Sequence, residues 1–321
     1  MIVRRGSTGD LVRRIQQRLA ELKLYLGPLD GVFGGGTESA VKSFQKSQSL
    51  TPDGIVGPLT WDKLFPAEAP PPLELASKPV AHRCLALTAS FETGAGFPDC
   101  FAGLSGDFDG QGLSFGALQW NLGQGSLQPL LHELLDRHRS LVQEILHDQF
   151  AVFVAMLVSP PAEQLAWARS IQDRRFRVLE PWCGLLKTLG RTPECQAIQV
   201  RHAGHTYGRA LELCSGYELR TERAAALMFD ILVQNGSISP LVRAQIEKDF
   251  AALPAGDGSP EAEVPRLRII ANRRAAACRP EYVEDVRRRK LTIAEGKGVV
   301  HGIPYDLEAQ FGLRLAPLEQ A

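Results

Sequence analysis

The stretch SFETGAGFPDCFAGLSGDFDGQGLSFGALQWN, residues 90–121, interrupts an otherwise helical pattern and decides how the larger part of the chain is read. A helical pattern over 80–92 closes on Glu92, just before Thr93 and Gly94. Residues 103–121 then mix glycines and aspartates with apolar residues, which predicts a small β-hairpin or irregular sheet. Asp107 and Asp109 fall in the glycine turn that follows. A helix end and a nearby turn can thus supply two carboxyl groups to one place. Glycoside hydrolysis needs such a pair: one group protonates the leaving oxygen, the other activates water or stabilises the cationic transition state. An acidic residue in a glycine turn commonly only holds the turn, so Asp107 and Asp109 both stay open as the second carboxylate.

Working outward, helical periodicity predicts helices over 127–150, 161–172, 176–190, 195–213, 218–235, 240–252, 261–277 and 280–290. The chain has 321 residues, 44% of them hydrophobic and 22% charged. That length argues for two domains, and that composition suffices for packed cores. Residues 66–79, PAEAPPPLELASKP, are dense in proline and without periodic pattern, which predicts a semi-rigid linker. They divide a module over 1–65 from a domain over 80–321. Within the module, LDGVFGGGTESAVKSF (29–44) is echoed by TPDGIVGPLTWDKLF (51–65). In each half an Asp-Gly turn precedes a threonine, Thr37 or Thr60, near a helix start. Leu11, Ile15 and Leu19 lie one helical turn apart on an earlier helix, and Val41 and Phe44 on the next. Three short helices are expected.

Gly6, Gly9, Val12, Gln16, Leu19, the DGVFG and DGIVG turns, Thr37, Ala40-Val41, Phe44-Gln45 and Thr60-Trp61 resemble the bacterial peptidoglycan-binding domain of the three-helix type. The resemblance covers nearly all of residues 5–65 and implies cell-wall binding, not catalysis. Trp61 is expected as a core anchor. In the larger domain, DFDGQGLSFGALQWNLGQGSLQPLL (107–131) looks like the hairpin region of chitosanases. YVEDVRRRKLTIAEGKGVVHGIPYDLEAQFGL (282–313) resembles their closing segment. The expected fold class is therefore mainly α: the three-helix module plus a lysozyme-like α+β domain with one small hairpin region. The resemblance implies that Glu92 is the general acid, that the aspartate before Gly-x-Gly (Asp109) is the second carboxylate, and that Ser114, in place of threonine, helps hold the attacking water. It also implies an inverting reaction. Phe108 departs from the family's pattern, in which glycine precedes that aspartate, although Gly106-Asp107 keeps the family's order. Gln119, Trp120 and Asn121 depart from a close chitosanase as well.

A general acid must hold its proton at working pH, and a seat between Phe91 and the apolar wall of the helix would supply this by desolvation. Asp109, in a polar turn, would stay ionised. Gly110 and Gly112 would let the backbone approach a sugar closely. Gln119 and Asn121 are candidates to hydrogen-bond an acetamido or hydroxyl group. His301 and Tyr305, in VVHGIPYD, either line the cleft or pack a lid. No cofactor is implied. His202 and His205 with Cys195 and Cys214 lack a recognised zinc-ligand spacing, so no metal is expected. That absence, with no evident Cys–His pair, argues against an amidase or peptidase. Six cysteines (Cys84, Cys100, Cys183, Cys195, Cys214, Cys278) form no CxxC pair and are compatible with buried thiols or up to three disulfides.

Lys plus Arg equals Asp plus Glu at 36 each, so net charge favours no partner. Arg287, Arg288 and Arg289 are expected as a solvated helix face. No nucleic acid is expected as a partner. No apolar stretch reaches the ~20 residues of a spanning helix, so no membrane partner is expected either. The start, MIVRRGSTGDLVRR, lacks the apolar run of a secretory signal. The expectation is a monomer made in the cytoplasm and acting at the cell wall or periplasm after phage-type or secretion-system export. The function expected is hydrolysis of the β-1,4 glycan backbone of peptidoglycan, a muramidase targeted by its module. The rivals are a chitosanase or chitinase carrying a wall module, and a non-catalytic wall-binding protein with a degenerate hydrolase domain.

Overall fold

The echo at the N-terminus rests on two buried glutamines. In the computed structural model, which describes residues 3–66, 68–69, 73–254 and 256–318, the module forms α1 (Asp10–Glu21), α2 (Gly35–Ser47) and α3 (Pro58–Leu64). Gln16 on α1 donates through Nε2 to Asp30 (2.8 Å) and to the Val32 carbonyl (3.0 Å), and its Oε1 accepts from the Gly31 amide (2.9 Å). Gln45 on α2 repeats the pattern with Asp53 (2.7 Å), the Ile55 carbonyl (2.9 Å) and the Gly54 amide (2.8 Å). Gly31 and Gly54 have φ of 72° and 77°, so both turns need glycine. Thr37 and Thr60 lie in the first turns of α2 and α3, near the helix starts as expected, while Gly34 and Gly57 are the N-cap residues. The threonine hydroxyls accept from Gln16 (3.2 Å) and Gln45 (3.1 Å). Trp61 is fully buried beside Val12, Ile15, Leu19, Phe44 and Leu64, a core anchor.

Of the expected linker, residues 67 and 70–72 lie outside the described residues. Glu74–Ser77 form a single 3-10 turn that seats Leu75 in the core of the larger body. That body is built around α4 (Val80–Thr93), in which every residue from His82 to Phe91 is buried. A helix covered all round belongs at the centre of a domain. Gly94, at φ 69°, ends it. A short antiparallel sheet follows, β1 (Leu104–Ser105), β2 (Ser114–Phe115) and β3 (Trp120–Asn121), in that order. Its register sets Leu104 opposite Phe115 and Ser114 opposite Asn121.

The single helix expected over 127–150 is two, α5 (Leu127–Arg137) and α6 (Arg139–Leu146), and a third, α7 (Phe150–Val158), begins where it was expected to end. Leu130 and Leu134, Val142 and Leu146, and Phe153 and Leu157 all enter one core, and a straight rod could not deliver all three pairs. His147, at φ 45°, marks one break. Residues 139–158 are apolar enough by composition to cross a membrane, contrary to the sequence reading; in the fold they are bent and lend residues to that core. After α8 (Pro161–Ser170) comes α9 (Trp182–Arg191), which starts later than expected because Asp173 organises a turn through the amides of Arg175 and Arg177. The helix expected over 195–213 divides at Ala203 into α10 (Pro193–His202) and α11 (Gly204–Gly216).

Buried α12 (Glu222–Asn235), capped by Thr221, packs beside α4. Next come α13 (Pro240–Ala251), α14 (Glu263–Ala276) and α15 (Val283–Glu295). A hairpin of β4 (Lys297–Val300) and β5 (Ile303–Asp306), not expected from the sequence, leads into α16 (Leu307–Phe311). Two cores result, one of α4 with α11 to α16, the other of α5 to α10 with β2 and β3; Trp120 packs against both. The mainly α class with a small sheet stands as expected. All six cysteines are free thiols. Replacing Gln16 or Gln45 by leucine strips buried amides of their partners, at a cost of about 1–3 kcal/mol each. Urea denaturation followed by amide hydrogen exchange across α1 to α3 should show that loss confined to the module.

Candidate active site

Where the two cores meet, a cleft of about 670 Å³ is lined by residues from the end of α4, the short sheet with its turn, and α9. Glu92, Asp109, Ser114, Gln119 and Asn121 all lie on its wall. Glu92 does not sit against the apolar wall expected for it. Its side chain is 39% exposed, and Oε1 accepts from Arg289 Nη1 at 2.7 Å. Arg289 is buried on α15 with its guanidinium 5.0 Å over the Phe91 ring. Asp230 on α12, fully buried, takes Arg289 Nη2 at 2.7 Å, the Thr88 hydroxyl at 3.0 Å and the ammonium of Lys290. Burial alone would raise the Asp230 carboxyl, but the charges of Arg289 and Lys290 override it and hold Asp230 far below the usual carboxylate range. Burial pushes the Lys290 ammonium down to about 8 against the pull of Asp230.

The two aspartates of the turn have different surroundings. Asp107 is buried, pairs with Arg169 at 2.6 Å and accepts the Gly112 amide at 2.5 Å. Burial would raise it, but Arg169 and that amide keep it below its ordinary value. Asp107 is not on the cleft wall. Asp109 is, and among the described residues it accepts only the Gln111 amide, at 3.1 Å. Gly112 has φ of 85°, which favours glycine, and a Cβ there would press on the Leu165 side chain at 2.7 Å. Across the β2–β3 pair, Asn121 Nδ2 donates to Ser114 Oγ at 2.8 Å, and Asn121 Oδ1 accepts the Gln124 amide at 3.2 Å. Gln119 likewise spends its amide on the protein: Oε1 accepts from Ser105 Oγ (2.8 Å) and Nε2 donates to the Gly116 carbonyl (2.9 Å). Both amides brace the sheet, which leaves the Ser114 hydroxyl and Asp109 facing the cleft.

Two expected contacts lie elsewhere. Tyr305 is buried, donates to the Ser90 carbonyl at 3.0 Å and packs edge-on against Phe91, away from the cleft wall. His301 sits at an exposed hairpin tip and pairs with Asp285 at 2.8 Å. The expected solvated arginine face is corrected for Arg289 alone, since Arg287 and Arg288 do pair with Glu284 at the surface. Among the described residues no group of three or more His, Cys, Asp or Glu is arranged to hold a metal. His202 pairs with Glu133 at 2.8 Å, and burial pushes the Cys195 and Cys214 thiols up to about 12. Sequence reading missed Arg289, Asp230, Lys290, Lys187 and Arg191. The first three come from segments about 140 and 200 residues beyond Glu92 (an order-of-magnitude separation that no local pattern records).

Residues 8–64 match the family model described as a putative peptidoglycan binding domain, in agreement with the resemblance read from the sequence. An uncharacterized protein of Kitasatospora aureofaciens is 52% identical over 58 residues, 18% of this chain and 49% of that protein. A spore cortex-lytic enzyme of Oceanobacillus iheyensis is 41% identical over 66 residues, 21% of this chain and 24% of that enzyme. The chain thus spans about half and about a quarter of the length of these curated relatives. Among solved structures, a chitosanase from Bacillus subtilis MY002 aligns over 72% of this chain and 97% of its own at 16% identity, with a TM-score of 0.40.

Replacing Asp230 by alanine leaves two buried cations without their anion, which should destabilise the protein by about 3–5 kcal/mol in urea denaturation. The lowered carboxyls also set an acid limit. The unfolded chain takes up protons at ordinary carboxylate values while native Asp230 and Asp107 resist. Their stabilisation is therefore complete above about pH 4 and is lost as pH falls below it. Asp230→Asn should flatten that acid limb of stability against pH.

Proposed function

We propose that the chain is a peptidoglycan hydrolase in which a wall-binding module over 1–65, joined through 66–79, carries a glycosidase domain over 80–321. The observation that carries this reading is that Glu92 and Asp109, from a helix end and a separate turn, line one cleft with the Ser114 hydroxyl. The family match of residues 8–64 supports the wall as the place of action. In this reading Glu92, oriented by Arg289, gives its proton to the leaving glycosidic oxygen. Asp109 takes a proton from the water that attacks the anomeric carbon, and Ser114 Oγ, fixed by Asn121, orients that water. The bond cut is a β-1,4 linkage of the glycan, on the reducing side of N-acetylmuramic acid, with inversion at the anomeric carbon. Asp107 has a supporting part: it shapes the turn that presents Asp109.

Dye-labelled peptidoglycan turnover tests the assignment. Glu92→Gln and Asp109→Asn should each lower kcat/KM by about 10²–10⁴-fold, with melting temperatures unchanged. Asp107→Asn should instead lower the melting temperature, because it weakens the pairing with Arg169. Wild-type turnover by Glu92→Gln would sink the reading. Proton NMR of the first product formed from a β-linked oligomer should show the α-anomer; a β-anomer would mean retention.

A further inference from the structure

Three carboxylates line the cleft, Glu92, Asp99 and Asp109. Two of them are answered from within the protein. Glu92 has Arg289. Asp99, its side chain only 10% exposed, takes Arg191 Nε at 2.5 Å on one oxygen and the Thr8 hydroxyl at 2.5 Å on the other. Asp109 is in no ion pair among the described residues and accepts the Gln111 amide. The cleft therefore offers a cationic polymer little unanswered negative charge beyond that one group.

The basic side of the account differs. Lys187 and Arg191 lie one turn apart on one face of α9, and both line the cleft. Arg191 is 39% exposed, and among the described residues its guanidinium bonds only Asp99, through Nε; its Nη groups face no protein acceptor. Lys187, half-buried, is in no ion pair among the described residues. An ammonium and the outer edge of a guanidinium, side by side and unmatched, form a receptor for a carboxylate.

We propose that Lys187 and the Nη edge of Arg191 form a carboxylate subsite, which receives the acid group borne on the 3-O-lactyl arm of a muramyl residue. This rests on the reading of the cleft as a glycan-hydrolase site. The lactyl carboxylate of a peptide-free strand and a carboxylate of an attached stem peptide carry the same chemistry on that arm. A chitin oligomer carries neither, and a chitosan oligomer presents ammonium groups that Lys187 repels. The subsite thus sets the glycan class that the cleft prefers, independently of the wall-binding module.

Calorimetric titration of the full chain tests this, with Glu92→Gln as the background that prevents turnover. The ligands are three tetrasaccharides of equal length: alternating N-acetylglucosamine and N-acetylmuramic acid without peptide, the same with stem peptides, and a chitin tetramer. The background protein should prefer an acid-bearing oligomer over the chitin tetramer by about fivefold, as one partly exposed ion pair allows. Adding Lys187→Gln should bring that ratio close to one, and Lys187→Arg should keep it. Added salt should lower it. A preference for the peptide-free strand assigns the lactyl carboxylate, and one restricted to the peptide-bearing strand assigns the peptide. A ratio that survives Lys187→Gln, or that is near one in the background protein, overturns the subsite. Wild-type turnover of the same oligomers is scored separately, so loss of all glycan cleavage would count against the hydrolase reading while the affinity ratio judges Lys187.

Discussion

Arg289 has 1% of its side chain exposed, yet it bonds Glu92 on the cleft wall. On one side it is held by Asp230, on the other it holds Glu92, and Phe91 lies beneath its guanidinium. Burying a charge costs several kcal/mol unless it is paired and hydrogen-bonded. Here two anions and two cations, Asp230 and Glu92 with Arg289 and Lys290, meet that condition together. Three helices are committed by it, since the four residues come from α4, α12 and α15. The cost of removing Asp230, Arg289 or Lys290, the three fully buried members, is what makes the arrangement rigid. Glu92 is therefore placed by the packed centre of the protein rather than by a loop, which is the support a reacting group needs.

A second constraint joins the small module to the large body. Arg4, buried, donates to the Pro304 carbonyl at 2.7 Å and lies 4.7 Å over the Tyr305 ring. Thr8 bonds Asp99 on the cleft wall. Tyr305, expected from the sequence to face substrate or pack a lid, instead joins the module to Phe91, next to Glu92. A proline-rich segment alone would leave the module free to swing; these contacts fix its heading relative to the cleft. Tethering raises local substrate concentration only when both sites can engage one polymer, and a fixed heading determines which strands satisfy that geometry.

The legible parts of the sequence were those with short-range causes. The repeated Asp-Gly turns of the module were visible because each turn, its glutamine and its threonine lie within about twenty residues of one another (a local pattern). Helix α4 and the glycine turn after it were visible for the same reason. The split of Asp107 from Asp109 was not, because it depends on Arg169, 62 residues further on. Nor were the break at His147, which folds a long apolar face around one core, and the break at Ala203, where the chain passes from that core into the other. Arg289 was hidden within a run of three arginines that reads as a solvated face. Only the third points inward, toward an aspartate that could be recognised as its partner only once α12 and α15 were packed together.

The central claim is that this cleft cuts glycan strands with Glu92 as acid, and the bond that breaks is its most direct witness. Purified peptidoglycan digested with the wild-type chain, reduced with borohydride and resolved by mass spectrometry should yield fragments whose reduced ends are N-acetylmuramic acid. The Glu92→Gln chain should yield none. Reduced N-acetylglucosamine would move the cut to the other glycosidic bond. Intact strands, with chitosan also untouched, would contradict the account and leave a protein that binds the wall without cutting it.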